Sequence, residues 1–184
     1  QQQKLRLEET KGREAIQTEL NFLKNQISPH FFMNTLNNIH ALIDYDPDIA
    51  KETVISLSRM MRHILYESQS RRVHIKKEMD FIRSYVELMR LKTSEKVAIS
   101  CNIPDNLPDK SIPPLIFTSL IENAFKHGVS LKGKSYVSID FSFPDEGHMT
   151  CRIANSNHSA NRQGEHKGIG LENTKRRLDI EFPS

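Results

Sequence analysis

The chain has 184 residues, a hydrophobic fraction of 37% and a formal net charge of +3. That length suits one medium domain or two small ones, and the lowish apolar content suits elongated helical parts beside a compact part. The small charge, the absence of tryptophan and the lack of any basic block interleaved with aromatics argue against a nucleic-acid partner.

No apolar run approaches the roughly 20 residues of a membrane span, and no segment reads as a signal peptide. The chain starts at Gln1 already in a charged helical pattern and stops at Ser184, as expected of an excised fragment.

Residues from about 4 to 44 read as one long helix, weakened near Gly12 and kinked at Pro29. Proline has no N–H, and its ring clashes with the carbonyl four residues back. Ile16, Leu20, Leu23 and Ile27 recur at the spacing of a coiled-coil seam. Beyond the proline the apolar stripe becomes Phe32, Leu36, Ile39 and Ile43, with Phe32 about 140° around the helix from Ile27. The original seam, extended, carries His30, Asn34, Asn37 and Ala41. A histidine and two asparagines therefore share one face, which suits either a nucleophile or an ordinary solvated surface.

Asp46-Pro47-Asp48 is a break followed by an N-cap, a first-turn proline and a first-turn acid. A second helix follows, with Val54, Leu57, Met61 and Ile64 at seam spacing. The two helices form a hairpin whose apolar stripes can pair with a second copy in a four-helix bundle. The pattern lapses into polar residues at 68–72, the expected domain boundary.

Ile75, Met79, Ile82, Val86 and Met89 mark a third helix. Val97, Ile99, Cys101 and Ile103 alternate as a strand, and Pro113-Pro114 opens a helix running to about His127. Residues 137–143 and 149–153 alternate around Pro144-Asp145-Glu146-Gly147 as a hairpin. The two cysteines, Cys101 and Cys151, fall in strand-like segments at apolar phase and read as reduced core thiols. Residues 155–167 read as a mobile polar loop, and Gly168-Ile169-Gly170-Leu171 leads into a last helix ending near Phe182. The expected fold class is α+β, a mixed sheet with helices on one face.

Within the fourth helix Asn123, Lys126 and His127 stand at i, i+3 and i+4, on one face. An asparagine oxygen is a hard ligand suited to Mg²⁺, and Lys126 offers charge to phosphates; a mixed polar surface is the plain alternative. Gly168-Ile169-Gly170, after a loop and before a helix, can cradle an anion on helix-start N–H groups.

The Gln26–Ile39 stretch, the Glu122–Gly128 stretch and the Gly168–Leu178 stretch, in this order, resemble the LytS-type sensor histidine kinases from about Leu20 onward. The resemblance implies a helical-hairpin dimerisation domain followed by the ATP-binding α/β sandwich shared by histidine kinases, gyrase and Hsp90. It implies an upstream signalling helix at 1–19, a dimerisation and phosphoacceptor domain at 20–72, and a C-terminally truncated catalytic domain at 73–184. His30 would accept the phosphoryl group, with Asn34 supporting it. Asn123 would bind Mg²⁺, with Lys126 and His127 near the phosphates of ATP. Asn155 would read adenine, residues 155–167 would be the lid, and Gly168, Ile169, Gly170 and Leu171 would meet the phosphates. The partners implied are a second copy and the receiver domain of a response regulator. A membrane would be reached only through segments outside this sequence, as in the cytoplasmic portion of a bacterial inner-membrane protein.

Two positions depart from the family pattern, and a third differs from the related ATPases. The adenine-reading aspartate of an Asp-x-Gly-x-Gly run is replaced by Asn155, without the glycines, which implies weak nucleotide affinity. Phe31, rather than an acid, follows His30, so no general base is assigned. Glu122 adjoins Asn123 but points about 100° away. Ser119 stands four residues before Asn123, where related ATPases carry a water-activating glutamate, which argues for transfer over hydrolysis. The rival readings are a degenerate kinase acting as a dimeric binding module and an ATPase clamp of the gyrase or Hsp90 kind.

Overall fold

The computed structural model describes residues 29–130, 133–158 and 169–182. The upstream seam of Ile16, Leu20, Leu23 and Ile27, most of the 155–167 loop, and Gly168 lie outside them.

Helix α1 spans Pro29–Tyr45 and α2 spans Pro47–Leu65. The break between them is capped as its residues require. The Asp46 carboxylate accepts the Ile49 N–H at 3.1 Å, and Pro47 needs no partner for a missing donor. A short 3₁₀ turn at Glu67–Gln69 leads to strand β1, Val73–His74. Helix α3 spans Ile75–Lys92, β2 spans Val97–Asn102 and β3 spans Ser111–Ile112. Helix α4 spans Thr118–Gly128, β4 spans Ser135–Asp145, β5 spans His148–Asn155 and α5 spans Ile169–Glu181.

The main sheet has the order β2-β4-β5, with β2 parallel to β4 and β4 antiparallel to β5. A parallel neighbour needs a crossover, and α4 lies within it. In register, Ile99 faces Val137, Cys101 faces Ile139, and Ile139 faces Ile153. These side chains share the sheet face that packs on Phe117, Ile121, Ala124 and Phe125. The opposite face carries Ser100, Asn102, Ser138, Asp140 and Arg152. The molecule is α+β with a mixed sheet, as expected. Both cysteines are free and half-buried; burial raises the Cys151 thiol to about 12, outside the reactive range.

Four local expectations change. The buried stripe of α1 is Phe31, Thr35 and Ile39, rather than Phe32, Leu36, Ile39 and Ile43. The cause is α3: the Phe31 ring stacks on Tyr85 at 4.9 Å, and Lys92 Nζ donates to the Phe31 carbonyl at 3.2 Å while sitting over its ring. On α2 the buried residues are Ala50, Thr53, Leu57, Met60 and His63, which leaves Val54 and Met61 46% and 42% exposed. Helix α4 begins at Thr118, later than Pro113-Pro114, because Leu115 has φ 59°, a left-handed conformation that no α-helix contains. Strands β1 and β3 pair Val73 with Ile112, and at two residues each they are too short for alternation to show.

One buried cluster runs from Phe31, Ile39, Leu57 and Met60 through α3 to Ile121 and Ile139. The hairpin and the sheet therefore share a hydrophobic core across the polar 68–72 stretch.

Candidate functional site

Helix α4 holds its apolar residues Ile121, Ala124 and Phe125 against the sheet. That leaves Asn123 half-buried and Lys126 and His127 exposed on the outward side, as the i, i+3, i+4 spacing requires. Glu122 is half-buried beside them. Burial pushes its carboxyl up, and Lys126 partly offsets the rise. Tyr85 is also pushed up, by burial and then by the Glu122 charge.

The end of α4 lies against the end of β5. A Cβ added to Gly128 would meet Asn155 Cβ at 2.6 Å, a separation real side chains do not tolerate. Glycine is required here by close approach, and the approach brings Asn155 beside the helix that carries Asn123. The Asn155 Nδ2 donates to the Ser156 carbonyl at 2.8 Å. One of its two amide N–H groups is thus engaged internally, and its Oδ1 is the acceptor.

Helix α5 reaches α4 through the Ser119 and Thr174 hydroxyls, 2.8 Å apart. Ser119, one turn before Asn123, is therefore held by α5. Leu171, in the first turn of α5, is exposed. Gly168 is outside the described residues.

His30 is the second residue of α1. Asn34, Asn37 and Ala41, on its helical face, are all exposed. The neighbouring Phe31 is anchored by Tyr85, whose ring meets Phe125 of α4 edge-on at 6.3 Å. Two aromatic contacts thus lead from the residue after His30 to the helix of Asn123. Burial lowers the Lys92 ammonium that ties the same segment to α3.

Among the described residues no group of three or more His, Cys, Asp or Glu side chains can hold a metal. The donor present is a single asparagine oxygen. That fits Mg²⁺ in its usual protein setting, with one or two protein ligands and the remaining positions taken by phosphate oxygens and water.

One constellation was not anticipated. His63, on α2, has Nδ1 2.9 Å from Glu67 Oε2 and Nε2 2.9 Å from Glu78 Oε2. Glu78 is fully buried in α3, and its Oε1 accepts the Leu115 N–H at 2.8 Å. Its position was a signal: Glu78 falls three residues after Ile75 and four before Ile82, in phase with the buried stripe.

The histidine kinase family's sequence model matches residues 18–97. The chain is 32% identical to sensor protein LytS of Oceanobacillus iheyensis over 124 residues, 67% of this chain and 21% of that relative. It is also 32% identical to the sensor histidine kinase/phosphatase LytS of Staphylococcus aureus over 145 residues, 79% of this chain and 25% of that relative. The chain thus spans about a fifth to a quarter of the length of the curated relatives it matches.

Proposed function

We propose that this chain, which belongs to the LytS-type sensor histidine kinases, is the kinase core of a two-component sensor: it transfers the γ-phosphoryl group of ATP to His30 and passes it to an aspartate of a response regulator. The observation that carries the reading is the aromatic path Phe31–Tyr85–Phe125, which ties the residue after His30 to the helix bearing Asn123, Lys126 and His127.

The chemistry is an in-line displacement. A neutral imidazole nitrogen of His30 forms a bond to the γ-phosphorus, the bond to the bridging oxygen breaks, ADP leaves, and the imidazole loses a proton. Such transfers depend on positioning and on charge neutralisation. Bound Mg²⁺ supplies part of that neutralisation, and Asn123 is the residue that would hold it. Lys126 adds a positive charge one turn on. Asn34, one turn from His30, orients the ring. Asn155 Oδ1 accepts from the adenine amine. Ser119, paired with Thr174, cannot act as a carboxylate base toward water, which favours transfer over hydrolysis. Residues 20–72 serve as the dimerisation and phosphoacceptor domain and residues 73–184 as the nucleotide domain, within a homodimer that a response regulator visits. The lid over ATP is assigned to residues 155–167.

Asn123→Ala tests the reading. It is expected to abolish autophosphorylation and to weaken Mg²⁺-ATP binding more than metal-free nucleotide binding in calorimetry. Equal loss under both conditions would contradict the role given to Asn123.

A further inference from the structure

We infer that His63 is a positioning residue for phosphoryl transfer: as an imidazolium clamped between Glu67 and Glu78, it locks hairpin helix α2 to the turn that sets the start of α4. The inference rests on the reading of α4 as the nucleotide-binding helix.

The geometry favours the charge. Both ring nitrogens face carboxylate oxygens at 2.9 Å. Carboxylates offer only lone pairs, and a neutral imidazole has one N–H. Where both acids are carboxylates, both contacts are hydrogen bonds when both nitrogens carry protons. The ring is buried and stacks on Phe81 at 4.8 Å, so it cannot turn aside without disturbing α3.

The clamp continues into the turn before α4. The second oxygen of Glu78 takes the Leu115 N–H. Among the described residues Leu115 is the non-glycine with a positive φ, a strained conformation that persists only where its surroundings impose it. The same turn is held from α5, where the Arg177 guanidinium donates to the Pro114 carbonyl. Thr118, the first residue of α4, follows three positions after Leu115, and Asn123 five further on.

The charges that act on His63 directly are those of Glu78 and Glu67. Glu67 is itself held by Lys77 Nζ at 3.0 Å, and Arg177 of α5 feels the charges of both Glu78 and Glu181. Arg59, Arg62, Asp80 and Arg83 line a cleft of about 740 Å³ between α2 and α3 that reaches His63. Burial alone would lower the imidazole; hydrogen bonds and charges from Glu78 and Glu67 outweigh it, and the net shift is upward from 6.5. As pH rises through the raised value, one nitrogen presents a lone pair to a carboxylate, and the hold on Leu115 slackens.

The test is a nitrogen-resolved NMR titration of the whole 184-residue chain. In the wild type both His63 ring nitrogens are expected to be protonated at pH 6.5. The Leu115 and Asn123 amides should shift with the same midpoint as the ring. Glu78→Gln keeps shape and bonding, because its oxygen still accepts from Leu115 and its amide donates to a neutral ring. In that variant the midpoint should fall below that of the wild type and the two amides should no longer follow it. The autophosphorylation rate should show an alkaline falling limb in the wild type at the ring's midpoint, absent in Glu78→Gln, with unchanged ATP affinity. A neutral His63 at pH 6.5, or a titrating ring with unmoved Leu115 and Asn123 amides, would overturn the inference. If no label forms at any pH, the kinase reading fails, and the wild-type titration still decides the clamp.

Discussion

Asn155 is the residue at which structure and family pattern meet most sharply. Its Nδ2 bond to the Ser156 carbonyl leaves a neutral oxygen as acceptor for the adenine amine proposed above, and neutral acceptors are about half as strong as charged ones. Asn155→Asp is expected to tighten ATP binding by about 1 kcal/mol, about fivefold, in calorimetry. GTP, with a carbonyl where ATP has the amine, should gain nothing. The same change removes the donor to Ser156, so thermal stability without nucleotide should fall even as ATP affinity rises. The pair His63 and Glu67 sets a second expectation. The folded-state value of His63 is raised, so its contribution to stability is complete below about 6.5 and is lost as pH rises through the raised value. Glu67 is lowered, net of a burial effect that opposes the drop, by bonds from His63 and Lys77. Its contribution is present above about 4.5 and is lost as pH falls through the lowered value. Urea midpoints should therefore plateau between those two values and decline on both sides, with the alkaline decline reduced in Glu78→Gln. The helical spacing of Asn123, Lys126 and His127 was legible because 3.6-residue geometry alone puts them on one face. The phase of Glu78 with Ile75 and Ile82 marked it for burial, but its pairing with His63 was not legible, because the fold brings that partner from another helix.

The helices α1 and α2 each carry more apolar surface than one chain covers. Phe31, Ile39, Leu57 and Met60 enter the core, while Leu36, Ile43, Val54 and Met61 remain 51%, 54%, 46% and 42% exposed. Exposure on that scale along two adjacent helices is the mark of an interface. The chain is expected to sediment as a dimer, and Val54→Glu combined with Met61→Glu should make it monomeric with helicity unchanged by circular dichroism. A double variant that stays dimeric would remove the bundle from the account. At this scale the sequence spoke unevenly. The Asp46-Pro47 cap and the strand alternation of β4 and β5 were readable because local chemistry decides them. The rotation of α1 was not, because a stack on Tyr85 and a lysine from α3 choose between two apolar stripes that periodicity ranks alike.

Across the whole molecule, the hydrophobic core is continuous from the hairpin to the mixed sheet, so the segment bearing His30 and the helix bearing Asn123 are parts of one packed body. Chain order made the α+β class legible. The junction was hidden, because polar residues at 68–72 look like a boundary while the contacts that cross it come from residues far apart in sequence. The account's central claim is that ATP phosphorylates His30. The most direct measurement incubates the chain with labelled ATP and Mg²⁺, then compares wild type with His30→Gln for label that is labile in acid and stable in base. The account predicts such label on the wild type, none on His30→Gln, and equal ATP binding by both. Label of that kind surviving on His30→Gln, or absent from a wild type that binds ATP, would contradict it.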